Sequence, residues 1–435
     1  MHYVMYNRDY FAELMEYASG IETIDTHEHL PGREEYRDKD TDIFREYLIH
    51  YLIVDLLSAG MTKDEHARVL DGTIPLMDRW HLLEPYWEAS RNTGYCRALD
   101  ISVRELYGVD KICRDTVEHI NREFLRTLEP GHYRRVFKEK CRIRVSLLDR
   151  MSEAVDDCDR EFFRRVYHMD TFIYPRSGYD IRDIERDTGT RIASFDNWLE
   201  ACQATMEKAL AQGAAALKCS LAYERPLCFE RVSYNDAEND FNTILNSKVS
   251  NNWFHYLFKA TKRLQDYMMH FVLELANRKN LTFQFHTGIQ EGTGNTLANS
   301  DPSQMTNLFI GYPDVTFDIF HIGFPYQHTL SAIAKMFPNV FIDMCWAHII
   351  SPVACVNSLL EWIECMPAAK ISAFGGDYKF VDGVIGHLHI ARENVCKALA
   401  LKVSEGLMDM DRARQLLKMF FFDNPLRIFK LGGDI

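Results

Sequence analysis

Eight short apolar runs, separated by longer stretches with helical patterning, organise this chain and limit what it can fold into. They are IETIDT (21–26), CRIRVSLL (141–148), MDTFIY (169–174), AAALKCS (214–220), LTFQFH (281–286), VTFDIFH (315–321), VFIDMC (340–345) and ISAFGGD (371–377). Strand-length apolar runs alternating with helices predict parallel strands joined by helical crossovers. Several of the helices have legible ends. Ser194 reads as the N-cap of FDNWLEACQATMEKALAQ and Gly213 as its stop, while Pro352 starts a helix that ends near Pro367. Eight strand–helix units in series predict an α/β fold, a (β/α)8 TIM barrel, in which catalytic side chains stand at the C-terminal ends of the strands.

Two intervals exceed a simple crossover. Residues 30–140 contain helical patterns such as DIFREYLIHYLIVDLLSAG and read as a helical cap inserted after the first strand; residues 224–250 are polar and irregular and read as a lid loop. Both belong to one metal-dependent barrel domain spanning residues 1–435. Within the second interval, the acidic stretch from Asp236 to Asp240 reads as a solvated loop.

Composition narrows the partners. With 47% hydrophobic residues in 435 positions the chain can bury a large core, which excludes a disordered protein. Fifty Lys and Arg against 63 Asp and Glu give a net charge of −13, which disfavours nucleic acid or an anionic membrane and favours a small molecule. No apolar run approaches the roughly 20 residues that span a bilayer, and the opening MHYVMYNRDYFAELMEYASG lacks the basic start and apolar core of a leader. Eleven scattered cysteines without a CxxC pair fit reduced thiols in a cytoplasm. The expectation is a cytoplasmic homo-oligomer acting on a small molecule.

The first run ends in TIDTHEHLPG. Residues two apart share one face of a strand, so His27 and His29 can both aim above the barrel axis. Such a pair suits a divalent ion, which needs three or more donors, but it equally suits ordinary polar residues where a strand meets solvent. The other strand ends tip the balance. The fourth run places Lys218 there, the fifth His286, the sixth His321 and the eighth Asp377. Singly, Lys218 could snorkel, the histidines could be satisfied core groups and Asp377 could cap a loop. Together they point to a metal site.

This set resembles the amidohydrolase superfamily, metal-dependent barrel hydrolases with HxH on strand one, Lys on four, His on five and six, and Asp on eight. FQFHTGIQEGTGNTLANSDPSQMTNLF, FDIFHIGFPYQH, FIDMCWAHIISP, FGGDYKF and the closing DNPLRIF resemble the amidohydrolase-related branch. That branch contains the uronate isomerases, decarboxylating members and the amidohydrolase-like domains of glutamine-synthetase fusions. The resemblance implies that His27, His29 and Asp377 hold one metal and that His286 and His321 hold or face a second metal or the substrate. It also implies that Lys218 either becomes carboxylated and bridges, or stays a cation that pairs with a substrate carboxylate. Zinc is the expected ion, one or two per chain, with manganese or a similar metal as the alternative. A divalent ion acidifies water and polarises the carbonyl under attack; Asp377 would take the water proton and pass it to the leaving group. His321 and Lys218 complete the expected catalytic set.

Other residues near strand ends are candidate substrate contacts. Arg176 follows the third run, and Tyr223 and Arg225 follow the fourth; both arginines suit an anionic group. Trp346 and His348 follow the seventh, and Arg392 lies in the segment after the eighth. A second HxH, His387 and His389, falls on an expected helix, where residues two apart do not share a face. The glycines of EGTGNT lack the spacing of a phosphate loop and read as a substrate loop. The full set predicts a metal-dependent hydrolase of an amide, lactone or related bond in a small, carboxylate-bearing substrate. A sugar-acid isomerase or decarboxylase is the alternative; two metals would favour hydrolysis and one the alternative.

Overall fold

The computed structural model describes residues 7–150, 157–247 and 261–432. Eight parallel strands form one sheet in chain order: β1 (Thr23–Glu28), β2 (Ile143–Asp149), β3 (Phe163–His168), β4 (Ala216–Cys219), β5 (Thr282–Phe285), β6 (Thr316–Ile319), β7 (Val340–Asp343) and β8 (Ile371–Ser372). The sheet bends round on itself. Phe374 O accepts from Thr26 N at 3.0 Å, His27 O from Asp377 N at 2.7 Å and Tyr378 O from His29 N at 2.9 Å, which joins β1 to the chain leaving β8. Most strand residues are buried, as expected for parallel strands covered by helices, although β3 is partly exposed at three positions. Among the described residues no helix is long and apolar enough to cross a membrane, and no cysteine is paired.

The helix ends follow the sequence. Ser194 accepts from Asn197 N to cap Phe195–Ala211, Gly213 then turns at φ +89°, and Ser351 caps Pro352–Cys365. The third strand does not lie at 169–174. It is Phe163–His168, and the expected run contains instead the helical turn Asp170–Ile173. The reason is packing. Phe172 and Ile173 are buried beside the outer helices, with Phe172 5.0 Å from Trp198 and its carbonyl accepting from the Trp198 indole at 3.2 Å. The arginine-bearing FRRVYH supplies the strand.

Of the interval 224–250, residues 248–250 lie outside the described residues, and 224–247 are more ordered than their polarity suggests. Residues Tyr234–Leu245 form a helix capped by Ser233, with Ala237, Phe241 and Ile244 buried, and Arg263 binds Asp236 at 3.0 Å and Asp240 at 2.6 Å. The acidic stretch is therefore the start of an amphipathic helix rather than a solvated loop.

Between β1 and β2 run several helices, among them Ile43–Tyr47, Leu52–Ser58, Leu76–Ser90 and Gly94–Tyr107. Their anchor is Asp382, at the start of the helix Asp382–Ser404. Tyr47 and Tyr107 hydroxyls and the His132 ring each donate to its carboxylate at 2.6 Å. A Cβ on Gly386 would lie 1.8 Å from the Ala98 carbonyl, so the close contact of this helix with Gly94–Tyr107 requires glycine there.

Candidate metal centre

The strand ends bring five of the expected residues together. His29 Nε2 lies 3.0 Å from Asp377 Oδ1 and His27 Nε2 3.8 Å from it, while His321 Nε2 is 3.8 Å from Asp377 Oδ2 and 3.1 Å from His286 Nδ1. Donor atoms of His27, His29 and Asp377 all lie within 4.8 Å of one another, and so do those of His321, Cys345 and Asp377. Asp377 reaches this position at φ +60°, following Gly376, where a Cβ would stand 1.8 Å from the Glu28 carboxyl.

Hydrogen bonding decides which ring nitrogens are free. The carboxamide of Gln284 donates to Thr26 O at 3.0 Å and to Asp318 at 3.3 Å, so its oxygen accepts from His27 Nδ1 at 3.2 Å. His29 Nδ1 donates to the Asp149 carbonyl at 2.9 Å. Both Nε2 atoms therefore carry lone pairs, and His27 Nε2 is buried with no hydrogen-bond partner among the described residues. A lone pair on His29 facing a carboxylate at 3.0 Å is repulsive unless a proton or a metal ion stands between them. The same logic holds for the second pair. His286 Nε2 donates to Ile289 O at 3.0 Å and His321 Nδ1 to Cys345 O at 2.9 Å, which turns the two remaining nitrogens lone pair to lone pair. Neutral imidazoles with fixed outer nitrogens and a nearby carboxylate are the donor set of a divalent metal, so the residues fit the ion their types imply.

For three of the four rings, electrostatics agree. Burial, with Lys218 and His29 adding to it, holds the His27 pKa well below its ordinary range. Burial likewise lowers His286, helped by His321 and Lys218, and lowers His321 to about 4. Burial would raise Asp377, but the hydrogen bond and charge of His29 outweigh it and hold the carboxylate ionised. For His29, burial lowers the pKa and Asp377 raises it further, with a net rise.

Above the cluster is a cavity of about 910 Å³ whose lining includes His29, Asp149, His168, Lys218, Tyr223 and Asp377, with Arg150, Arg165, Arg176 and Lys379 adding positive charge. Lys218 Nζ stands 3.7 Å over the Phe320 ring. Tyr223 leans on His286 at 4.7 Å and accepts from Glu291 N at 2.9 Å. Arg176 reaches the cavity but is also paired with Glu224 at 2.6 Å.

Four expected substrate contacts lie elsewhere. Arg225 is fully buried on Asp266 at 2.7 Å and Gln265 at 3.0 Å. His348 bonds Ala373 O and Asn394 behind the barrel wall. Arg392 donates to Cys141 O at 2.9 Å, near the start of β2. Trp346 is outside the lining and stacks on Tyr51 at 4.3 Å, edge-on to His321 at 5.0 Å. Conversely, three site residues escaped the sequence reading. Gln284 fixes His27, Asp149 ends β2 3.6 Å from His27, and His168 ends β3.

Residues 259–431 match the amidohydrolase family model. The chain is 25% identical over 177 residues to protein fluG of Emericella nidulans, a match covering 39% of this chain and 20% of that relative's length. Its fold is similar to uronate isomerase of Thermotoga maritima, with a TM-score of 0.80, 14% identity and 98% of each chain covered. It is equally similar to glucuronate isomerase of Caulobacter crescentus, with a TM-score of 0.80, 16% identity and coverage of 100% of this chain and 97% of that one. A Lactobacillus casei protein provisionally described as a metal-dependent hydrolase follows, with a TM-score of 0.68, 16% identity and coverage of 97% and 98%. Residues 259–431 therefore carry the amidohydrolase pattern, within a barrel that has the fold of the uronate isomerases from end to end.

Proposed function

We propose that this protein is a metal-dependent hydrolase of an amide, lactone or related bond in a small, carboxylate-bearing molecule. One observation carries the reading: histidine nitrogens meet both oxygens of the Asp377 carboxylate, His27 and His29 Nε2 at Oδ1 and His321 Nε2 at Oδ2, with His286 Nδ1 3.1 Å behind His321. His27, His29 and Asp377 would hold one divalent ion, zinc or manganese, and His286 with His321 a second. Such ions supply Lewis acidity, polarising a carbonyl and acidifying water. The chain does the rest. Asp377 is placed to take the proton of the attacking water, and its low pKa keeps it ready to do so at neutral pH. Lys218, with Arg150 and Arg165 on the same wall, offers charge for a substrate carboxylate. His50 and Tyr51, from the segment between β1 and β2, also line the cavity, which suits residues 30–140 to the role of a cap that excludes water.

A second reading, isomerisation of a uronic acid, is favoured by the end-to-end fold similarity to uronate isomerases and by the same basic residues in a lining of mixed charge. Zinc- and manganese-loaded protein assayed against N-acyl amino acids, γ-glutamyl amides, lactones and uronic acids separates the two. Release of amine or opening of a lactone is expected; turnover confined to uronic acids would replace hydrolysis by isomerisation.

A further inference from the structure

Resting on the hydrolytic reading, one step that the sequence assigns to Asp377 has a second candidate in the structure: the departing nitrogen or oxygen must take up a proton. Asp377, committed to the water side, need not provide it. In the cavity lining His168 ends β3, with its Nε2 3.6 Å from Asp149 Oδ2, the same oxygen that lies 3.6 Å from His27 Nε2. His168 thus adjoins the metal donors without belonging to them.

The ring is hydrogen-bonded on one side and faces a carboxylate, without a formed hydrogen bond, on the other. Nδ1 faces Asp170 Oδ2 at 3.4 Å, and Nε2 is 3.2 Å from Ser220 Oγ. Asp170 is itself fixed, because the backbone N–H of Ser220 donates to Oδ2 at 2.8 Å. A histidine backed by a carboxylate and facing a reaction cavity is a proton carrier in form. We propose that His168, positioned by Asp170 and Ser220, protonates the leaving group as its bond to the acyl carbon breaks. The balance closes simply. Asp377 gains one proton from water, His168 loses one to the departing amine or alcohol, and transfer between them through cavity water restores both, so the net reaction consumes one water.

The test is leaving-group dependence. The best amide or lactone found for the wild type is compared with the 4-nitrophenyl ester of the same acyl group, whose phenolate departs without a proton. His168→Asn is expected to lose about 10²- to 10³-fold in kcat on the amide or lactone and less than about threefold on the ester, with metal content and Tm unchanged. Asp170→Asn is expected to show the same selectivity with a smaller loss. Equal losses on both substrates, or none on either, would remove His168 from proton transfer while leaving the hydrolase reading intact. A wild type inactive on every amide, lactone and ester would overturn both.

Discussion

His29 Nε2 faces Asp377 Oδ1 at 3.0 Å, while the other nitrogen of the same ring is tied to the Asp149 carbonyl. The ring therefore has one nitrogen left for a cation, and Asp377 links that cation to the chemistry. Replacing the carboxylate by the amide keeps size and much of the coordination but removes the base. Asp377→Asn is expected to lower kcat by at least about 10³ with little change in KM, since the lost interaction belongs to the transition state. Metal content measured on the same preparation should stay close to wild type; near-normal turnover in a metal-replete variant would take Asp377 out of the mechanism.

Gln284 makes a different prediction, because it touches no substrate. Its oxygen accepts from His27 Nδ1 at 3.2 Å and so keeps the lone pair on Nε2. Gln284→Leu should weaken metal binding about 10- to 100-fold, read by competition with a chromophoric chelator. Unchanged affinity would mean that burial alone orients His27.

Asp382 couples the helices after β1 to the barrel. Burial alone would raise its carboxyl, but His132, with Arg37 and the Tyr107 hydroxyl, holds it down at about 2, against an ordinary 3.8. A pKa depressed in the folded state contributes stability above the unfolded value and loses it as pH falls toward the folded one. The shift corresponds to about 2 kcal/mol. Asp382→Asn should therefore be less stable than wild type by about that amount in urea at pH 7, the gap holding down to about pH 4 and closing below it. A gap that widens on acidification would show that another group dominates.

The fully buried pair Arg225–Asp266 is structural in this fold. Arg225→Met leaves Asp266 with only Lys262 and the Glu230 N–H as partners among the described residues and should cost about 1–3 kcal/mol in stability without altering KM in the folded fraction. A raised KM with normal stability would restore Arg225 to the substrate site.

His27, His29, His286, His321 and Asp377 were legible because strand periodicity and the rule for barrel strand ends together fix which way such side chains point. Asp149 closes its own strand, just past the apolar run that marked it, and was passed over. His168 is not legible in this way, since apolar MDTFIY reads as the third strand more strongly than the charged FRRVYH that pairs in the sheet. Arg225, His348 and Arg392 show the converse limit. Closeness to a strand end in sequence does not say whether a long side chain turns to the cavity or into the packing behind it, and here buried carboxylate and carbonyl partners decide that it turns away.

Two metal sites at the strand ends, one on His27, His29 and Asp377 and one on His286 and His321, are tested most directly by equilibrium metal titration with elemental analysis. Wild-type protein is expected to bind two divalent ions per chain. His27→Ala or His29→Ala should lose the tighter one, His321→Ala should lose the second only, and His389→Ala, altered at an exposed position on the helix Asp382–Ser404, should keep both. Binding that is undiminished in His27→Ala and His29→Ala, or lost in His389→Ala, would contradict the claim.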